Sequence, residues 1–156
     1  MTDELSIEPI HLTFVVDCPV EHAFDVWTGR IAQWWPADHT VTAEPGLVVV
    51  LEGRRGGRIF ERSPSGIEHD WGEVTVWEPP GRLGYTWHLN RDRSDATDVE
   101  IKFLPRDDAT TTVEIEHHGW ERLGSEGIAW RDRNQGGWAT LLPHYIAAAT
   151  VPSTGG

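Results

Sequence analysis

The turn sequences in the middle of the chain constrain its fold more than any other feature. Five clusters rich in Gly, Pro, Ser, Asp and Arg interrupt the apolar pattern, at residues 53–57, 63–66, 79–81, 91–96 and 105–109. The segments between them are as short as β-strands, and several alternate apolar with polar residues, as strands do. Because connections this short join antiparallel neighbours, six consecutive strands are predicted, at residues 47–51, 58–62, 67–77, 83–90, 98–104 and 111–118.

The segment before these strands predicts one more strand and two short helices. Apolar residues alternate with polar ones at the start of residues 10–17, as expected for a strand. Pro19 suits the first turn of a helix. An apolar stripe at helical spacing follows it, formed by Val20, Ala23, Phe24 and Trp27. A second short helix is predicted at residues 31–35, where Pro36 ends it.

Helical spacing returns near the C-terminus, at residues 128–149. One apolar face is formed by Trp138, Leu141, Leu142, Tyr145 and Ala149. Gly136 and Gly137 weaken the middle of this segment, and Pro143 deprives the Ala139 carbonyl of its helical partner. The helix therefore either begins near Asn134 or is bent.

This order of elements predicts an α+β fold. A curved seven-stranded antiparallel sheet, with two short helices after the first strand and a long C-terminal helix across its concave face, buries every apolar side. The domain should span residues 10–149, with an N-terminal extension at 1–9 and a disordered tail at 150–156. Space between a curved sheet and a covering helix is suited to small ligands.

Charge and composition exclude several classes of function. The 156 residues include 13 Lys and Arg against 25 Asp and Glu, giving a formal net charge of −12. A phosphate-binding surface needs clustered basic residues, so nucleic acid is not an expected partner. The chain lacks an apolar run of about 18 residues and a basic secretory start, so we expect a cytoplasmic protein without a membrane partner. The lone Cys18 rules out an internal disulfide.

Strand alternation and helical spacing identify the side chains that should point inward. Nine tryptophans are present, and aromatic side chains often line ligand cavities. The candidate ligand-binding residues are Trp35, Trp71, Tyr85, Trp87, Ile101, Phe103, Ile115, His117, Trp138 and Leu142. Two assignments stay open: Trp34 competes with Trp35 for the pocket mouth, and a bulge at Gly72 decides between Trp71 and Trp77.

His117 is the candidate that could carry chemistry. It shares a strand face with Val113 and Ile115, so it should point inward while His118 faces solvent. An inward histidine is either a polar anchor or general base for a ligand, or a structural residue bonded to a backbone carbonyl. The lack of a visible acid or nucleophile beside it favours the structural interpretation.

Short motifs in this order resemble a known family. They are CPVEHAFDVWT at 18–28, QWWP at 33–36, GEV at 72–74, EPP at 78–80, RLGYTW at 82–87, TTVEIEHHGW at 111–120 and GW at 137–138. Together they are similar to the activator of heat-shock-protein-90 ATPase homologue family, within the START/SRPBCC superfamily of helix-grip folds. The resemblance covers roughly residues 10–149, and it implies a helix-grip fold that hosts ligand carriers, cyclases and co-chaperone domains.

Three functions are consistent with these observations. The first is binding of a small apolar or aromatic molecule in the cavity between sheet and helix. The second is protein interaction, including a chaperone partner or a homodimer, and the third is a cyclase or hydrolase that uses the same cavity. No catalytic residue is assigned, and no cofactor is expected. A metal site in particular is not expected, because adjacent pairs such as His117 and His118 point to opposite strand faces.

Overall fold

Seven strands form one antiparallel sheet in a computed structural model that describes residues 7–89 and 93–150. The strands are β1 (Ile10–Val16), β2 (Val48–Leu51), β3 (Arg58–Arg62), β4 (Glu68–Glu78), β5 (Arg82–Trp87), β6 (Thr97–Pro105) and β7 (Thr111–His118). Their order across the sheet is β1-β7-β6-β5-β4-β3-β2, and every neighbouring pair is antiparallel. With helix α1 (Val20–Trp27) after β1 and helix α2 (Gly127–Ala149) at the end, this arrangement confirms the α+β fold predicted from the sequence.

Strand β4 carries two bulges, which bend the sheet. Its pairing with β3 shifts between Gly72 and Asp70, so Trp71 is the extra residue, and its pairing with β5 shifts around Thr75. The sequence placed one bulge at Gly72, one residue away from the first of these. The bulge brings Trp71 and Val74, three positions apart, to the buried side.

Helix α1 forms as its apolar stripe predicts. Pro19 occupies the N-cap position, and Phe24 and Trp27 are buried against the sheet. The second predicted helix is wrong in type: residues Ile31–Gln33 form a single 3₁₀ turn, and another follows at Ala37–His39. Pro36, which lacks an N–H, separates the two turns.

Helix α2 is one helix from Gly127 to Ala149, so the expectation of a start near Asn134 is wrong. The predicted apolar face is the buried one, from Trp138 through Tyr145 to Ala149. Burial of this face outweighs the poor helix propensity of the internal Gly and Pro residues. The Tyr145 hydroxyl donates to the Ala23 carbonyl at 2.8 Å, which ties α2 to α1.

The chain before β1 also packs on α2. The Arg131 guanidinium donates to the backbone carbonyls of Glu8 (2.6 Å) and Pro9 (3.3 Å). Most of the expected extension at 1–9 and of the tail at 150–156 lies outside the described residues, as does Asn90 at the end of the predicted strand 83–90. Strand β5 itself ends earlier, at Trp87.

Candidate ligand site

A series of tryptophan rings crosses the concave side of the sheet. In order of contact the indoles are Trp138, Trp27, Trp34, Trp35, Trp71 and Trp87, with neighbouring ring centroids between 5.1 and 6.1 Å apart. We call these six residues the indole series. It runs from α2 through α1 to β4 and β5, so the helices and the sheet meet through aromatic surface. Aromatic pairs at these separations attract one another beyond simple burial.

Four of the predicted ligand residues form one group within or beside this series. Trp35 contacts both Trp71 (5.1 Å) and Trp87 (5.7 Å), and Tyr85 contacts Trp87 at 5.7 Å between ring centroids. Trp71 and Tyr85 are buried, whereas Trp35 and Trp87 are half-buried. Trp34, the alternative to Trp35, is the deeper of the two, at 5% exposure, and donates to the Val26 carbonyl.

The other predicted residues line the rest of the interior. Ile101, Phe103 and Ile115 are buried on β6 and β7, and Phe103 contacts the ring of Phe24 from α1 at 5.3 Å. Trp138 and Leu142 are buried on the face of α2 that meets the sheet. The ten candidates therefore share one interior, and their contact with a ligand remains a prediction.

His117 is fully buried, and both of its ring nitrogens are occupied. Trp138 donates its indole N–H to Nδ1 at 3.1 Å, and because indole nitrogen is only a donor, Nδ1 must be the unprotonated nitrogen. Nε2 therefore carries the proton and donates to the Thr97 hydroxyl at 2.7 Å. That hydroxyl in turn lies 3.3 Å from the Trp87 carbonyl. His117 thus links α2 to β6 and leaves no free nitrogen for a ligand.

Burial keeps His117 neutral. Desolvation lowers the pKa of His117 from 6.5 to about 3, and the neighbouring His118 contributes in the same direction. The unfolded chain takes up this proton near pH 6.5, so acidification favours unfolding. The stabilising contribution is fully present above pH 6.5 and is lost as the pH falls towards 3.

We expect the free energy of unfolding to fall by about 2 kcal/mol between pH 7 and pH 5 because of His117. Urea denaturation at several pH values measures this slope. The His117→Gln variant should show a flatter profile over the same range, whereas His118→Gln should keep the wild-type slope. A wild-type profile that is already flat between these pH values would contradict the neutral, buried imidazole.

Sequence reasoning missed Glu61, a carboxylate with 0% exposure on β3. Its Oε1 accepts hydrogen bonds from the Val41 amide (2.6 Å) and the Trp71 indole (2.9 Å). Its Oε2 accepts from the amide and the hydroxyl of Thr42, both at 3.0 Å. Glu61 therefore fixes the segment at residues 40–43 and the ring of Trp71 at once. Glu61 lies two positions after the inward Ile59 and therefore shares its strand face, and this was the sequence signal that could have found it.

A small cavity of about 20 Å³ lies beside Trp87, at the end of β5. It is lined by the end of β5 and the residues after it, by the start of β6, by the 3₁₀ segment Trp120–Glu126 and by the first half of α2. The lining residues are Trp87, His88, Leu89, Asp95, Thr97, Trp120, Leu123, Trp130 and Asn134. A space of this size holds one water molecule. A ligand with an aromatic ring can enter only if side chains such as Trp87 or Trp35 move.

A second depression, of about 270 Å³, lies on the opposite face of the sheet. Outward residues of three strands line it, among them His11, Glu100, Lys102, Glu114 and Glu116. It is open and polar and has no aromatic lining, so it does not suit an apolar ligand.

Metal ligation and membrane insertion find no support in the described part of the chain. Among residues 7–89 and 93–150, no group of three or more His, Cys, Asp or Glu side chains is arranged to hold a metal ion. None of the described helices is both long and apolar enough to span a membrane. Cys18 is buried, and burial together with Asp17 raises the pKa of its thiol to about 11, so this thiol is not a ready nucleophile.

The curved sheet, the two helices and the aromatic interior define a helix-grip protein. Residues 17–149 match the Activator of Hsp90 ATPase homolog 1-like proteins, and the chain belongs to this family. The resemblance that the motifs carried is thereby confirmed. Among curated proteins, none shows significant sequence similarity to this chain.

Solved structures share the fold. Txn09, an anthrahydroquino-γ-pyrone synthase complexed with SUM, is 33% identical, with a TM-score of 0.57 over 80% of this chain and 84% of its own. CalC, a self-sacrificing resistance protein from Micromonospora echinospora, is 26% identical, with a TM-score of 0.69 over 91% and 94% of the two chains. The protein MLL2253 of Mesorhizobium loti, at 18% identity and a TM-score of 0.65 over 90% and 95%, shares the fold.

Proposed function

We propose that this protein binds a small planar aromatic molecule between the sheet and α2, beside Trp87. The observation that carries the proposal is the group formed by Trp35, Trp71, Tyr85 and Trp87, which offers continuous aromatic surface next to a cavity. Flat π-surfaces of this kind bind flat apolar ligands by stacking and by burial of apolar area. The likeness to Txn09, whose name describes a fused aromatic product, supports the same class of ligand.

Ligand binding in this site requires Trp35 and Trp87 to move apart. Trp35 is half-buried and belongs to the segment between α1 and β2, where its indole donates to the His39 carbonyl at 2.9 Å. That bond fixes only one end of the ring, which also contacts the rings of Trp34, Trp71 and Trp87. Displacing it exposes the ring faces of Trp71 and Trp87 without breaking a strand pair.

Removing one of the aromatic rings that would stack on the ligand should weaken binding. Trp87→Leu and Trp35→Leu are expected to reduce affinity for a tricyclic aromatic probe such as fluorenone by about tenfold or more, since each loses a stacking partner. Isothermal titration calorimetry measures the affinities. Native mass spectrometry of the protein as purified detects any ligand that remains bound through purification.

The matched control is Ile128→Ala on α2, whose side chain is 62% exposed and should leave affinity unchanged. The proposal fails if wild-type protein binds no aromatic probe. It also fails if both tryptophan variants bind as tightly as Ile128→Ala.

A second candidate is catalysis on such a molecule, which the likeness to the synthase Txn09 favours. In that case His117 is not the base, because both of its nitrogens are engaged and burial lowers its pKa to about 3, which makes the imidazole a poor proton acceptor. The protein would then act by holding a flexible precursor in the shape of its product. Turnover that survives in His117→Gln would support this form of catalysis, and loss of turnover with unchanged binding would contradict it.

A further inference from the structure

The cavity beside Trp87 has polar groups in its lining that the proposed function does not use. Four of its lining residues carry polar side chains: His88, Asp95, Thr97 and Asn134. The cavity, of about 20 Å³, is too small for an aromatic ring but has room for one group the size of a water molecule. A hydroxyl group has this size, so the polar substituent of a ligand fits here while the ring of the ligand stacks on Trp87.

The orientation of the Asn134 side chain is fixed by its own helix. Its Nδ2 donates to the Trp130 carbonyl at 2.8 Å, and because a carbonyl oxygen only accepts, the atom that faces Trp130 must be the nitrogen. Oδ1 lies on the other side of the amide and has no hydrogen-bond partner among the described residues. Asn134 is half-buried and lines the cavity, so this oxygen is an acceptor for a group that binds there.

Two further lining residues also present acceptors. The Thr97 oxygen accepts the Nε2 proton of His117 at 2.7 Å, and its own hydroxyl proton is directed to the Trp87 carbonyl at 3.3 Å, so only a lone pair remains. Asp95 adds carboxylate oxygens, which accept hydrogen bonds. A lining of this kind favours a ligand group that donates a proton. The Asp95 carboxylate and the net charge of −12 also disfavour an anionic ligand.

We propose that the aromatic ligand carries a hydroxyl group, which enters this cavity and donates its proton to Oδ1 of Asn134. The ligand class is then neutral phenols with fused rings, in preference to the parent hydrocarbons and their methyl ethers. This inference rests on the proposed function, and it adds the polar group that the ligand must carry and the residue that binds it. His117, the polar anchor suggested by the sequence, cannot take this role because Trp138 and Thr97 occupy its nitrogens.

Three ligands with one tricyclic skeleton test this inference. Fluorene has no polar substituent, 2-methoxyfluorene carries an oxygen that only accepts, and 2-hydroxyfluorene carries one that also donates. We expect wild-type protein to bind 2-hydroxyfluorene about tenfold more tightly than either of the others. Asn134→Leu should remove this preference while fluorene binding stays the same, because leucine fills a similar space without an acceptor. Isothermal titration calorimetry measures the three affinities.

The ratio of these affinities separates the loss of a hydrogen bond from a loss of structure. A variant that only loosens the site lowers all three affinities together, whereas loss of the bond lowers one of them. Gln135→Leu is the matched control and should keep the preference, because this neighbouring amide is exposed, accepts from Arg131 and does not line the cavity.

The inference is overturned if wild-type protein binds 2-hydroxyfluorene no more tightly than 2-methoxyfluorene, or if Asn134→Leu keeps the preference for the hydroxyl group. Failure of wild-type protein to bind any of the three ligands or fluorenone overturns the proposed function as well. The two failures are therefore distinguishable.

Discussion

Replacing Gly72 by alanine is expected to lower the free energy of unfolding by about 3 kcal/mol or more. Gly72 follows the bulge at Trp71, where β4 approaches β5 so closely that an added Cβ would overlap the Thr86 carbonyl oxygen. That oxygen belongs to the backbone, and the bonds on either side of it are fixed: the Glu73 amide donates to the Thr86 hydroxyl at 2.9 Å, and the His88 amide donates to the Trp71 carbonyl at 2.8 Å. The extra methyl group can be accommodated only by separating the two strands.

Gly136→Ala is the matched control for this substitution. Gly136 lies on the exposed side of α2, and a Cβ there would meet nothing within 4 Å. Alanine should therefore stabilise the helix by about 1 kcal/mol. Denaturant titration of both variants checks the pair. If Gly72→Ala proves as stable as wild type, the close approach of β4 and β5 is contradicted.

Replacing Glu61 by glutamine is expected to cost about 3 kcal/mol although the two side chains have the same shape. The two carboxylate oxygens accept four hydrogen bonds, from Val41, Trp71 and twice from Thr42. An amide offers one oxygen and one NH₂ group, so at least one backbone N–H would face another donor. A buried donor left without an acceptor costs about 1–3 kcal/mol, and the bonds to a charged acceptor are also weakened.

Glu73→Gln, at an exposed position on β4, should leave stability unchanged and serves as the control. Hydrogen exchange locates the effect: the amides of Val41 and Thr42 should lose protection in Glu61→Gln before the amides of β6 and β7 do. Equal protection of Val41 in both variants would show that the carboxylate does not fix this segment.

Periodicity predicted the fold because each element buries one side. Alternation in β7 placed Val113, Ile115 and His117 inward, and the structure confirms all three as buried. The sequence-based prediction of secondary structure is wrong where tertiary contacts override the local sequence pattern. The segment 31–35 was predicted as a short helix but forms only one 3₁₀ turn. The indoles of Trp34 and Trp35 there donate to separate backbone carbonyls, those of Val26 and His39.

The site was less predictable, because its polar contacts join residues that are far apart in sequence. Alternation gave the direction of His117, but its partners Thr97 and Trp138 are 20 and 21 positions away. Glu61 depends on amides at 41 and 42, in a segment without hydrophobic periodicity.

The indole series has an optical consequence. Excitation energy passes readily between indoles whose centres lie 5.1–6.1 Å apart, so light absorbed by Trp138 or Trp27 is delivered along the series as far as Trp87. A ligand that quenches the fluorescence of one of these indoles therefore also lowers the fluorescence of the others. The intrinsic fluorescence of this protein should therefore respond to occupancy far more strongly than a single contact would produce, and no label is required to follow it.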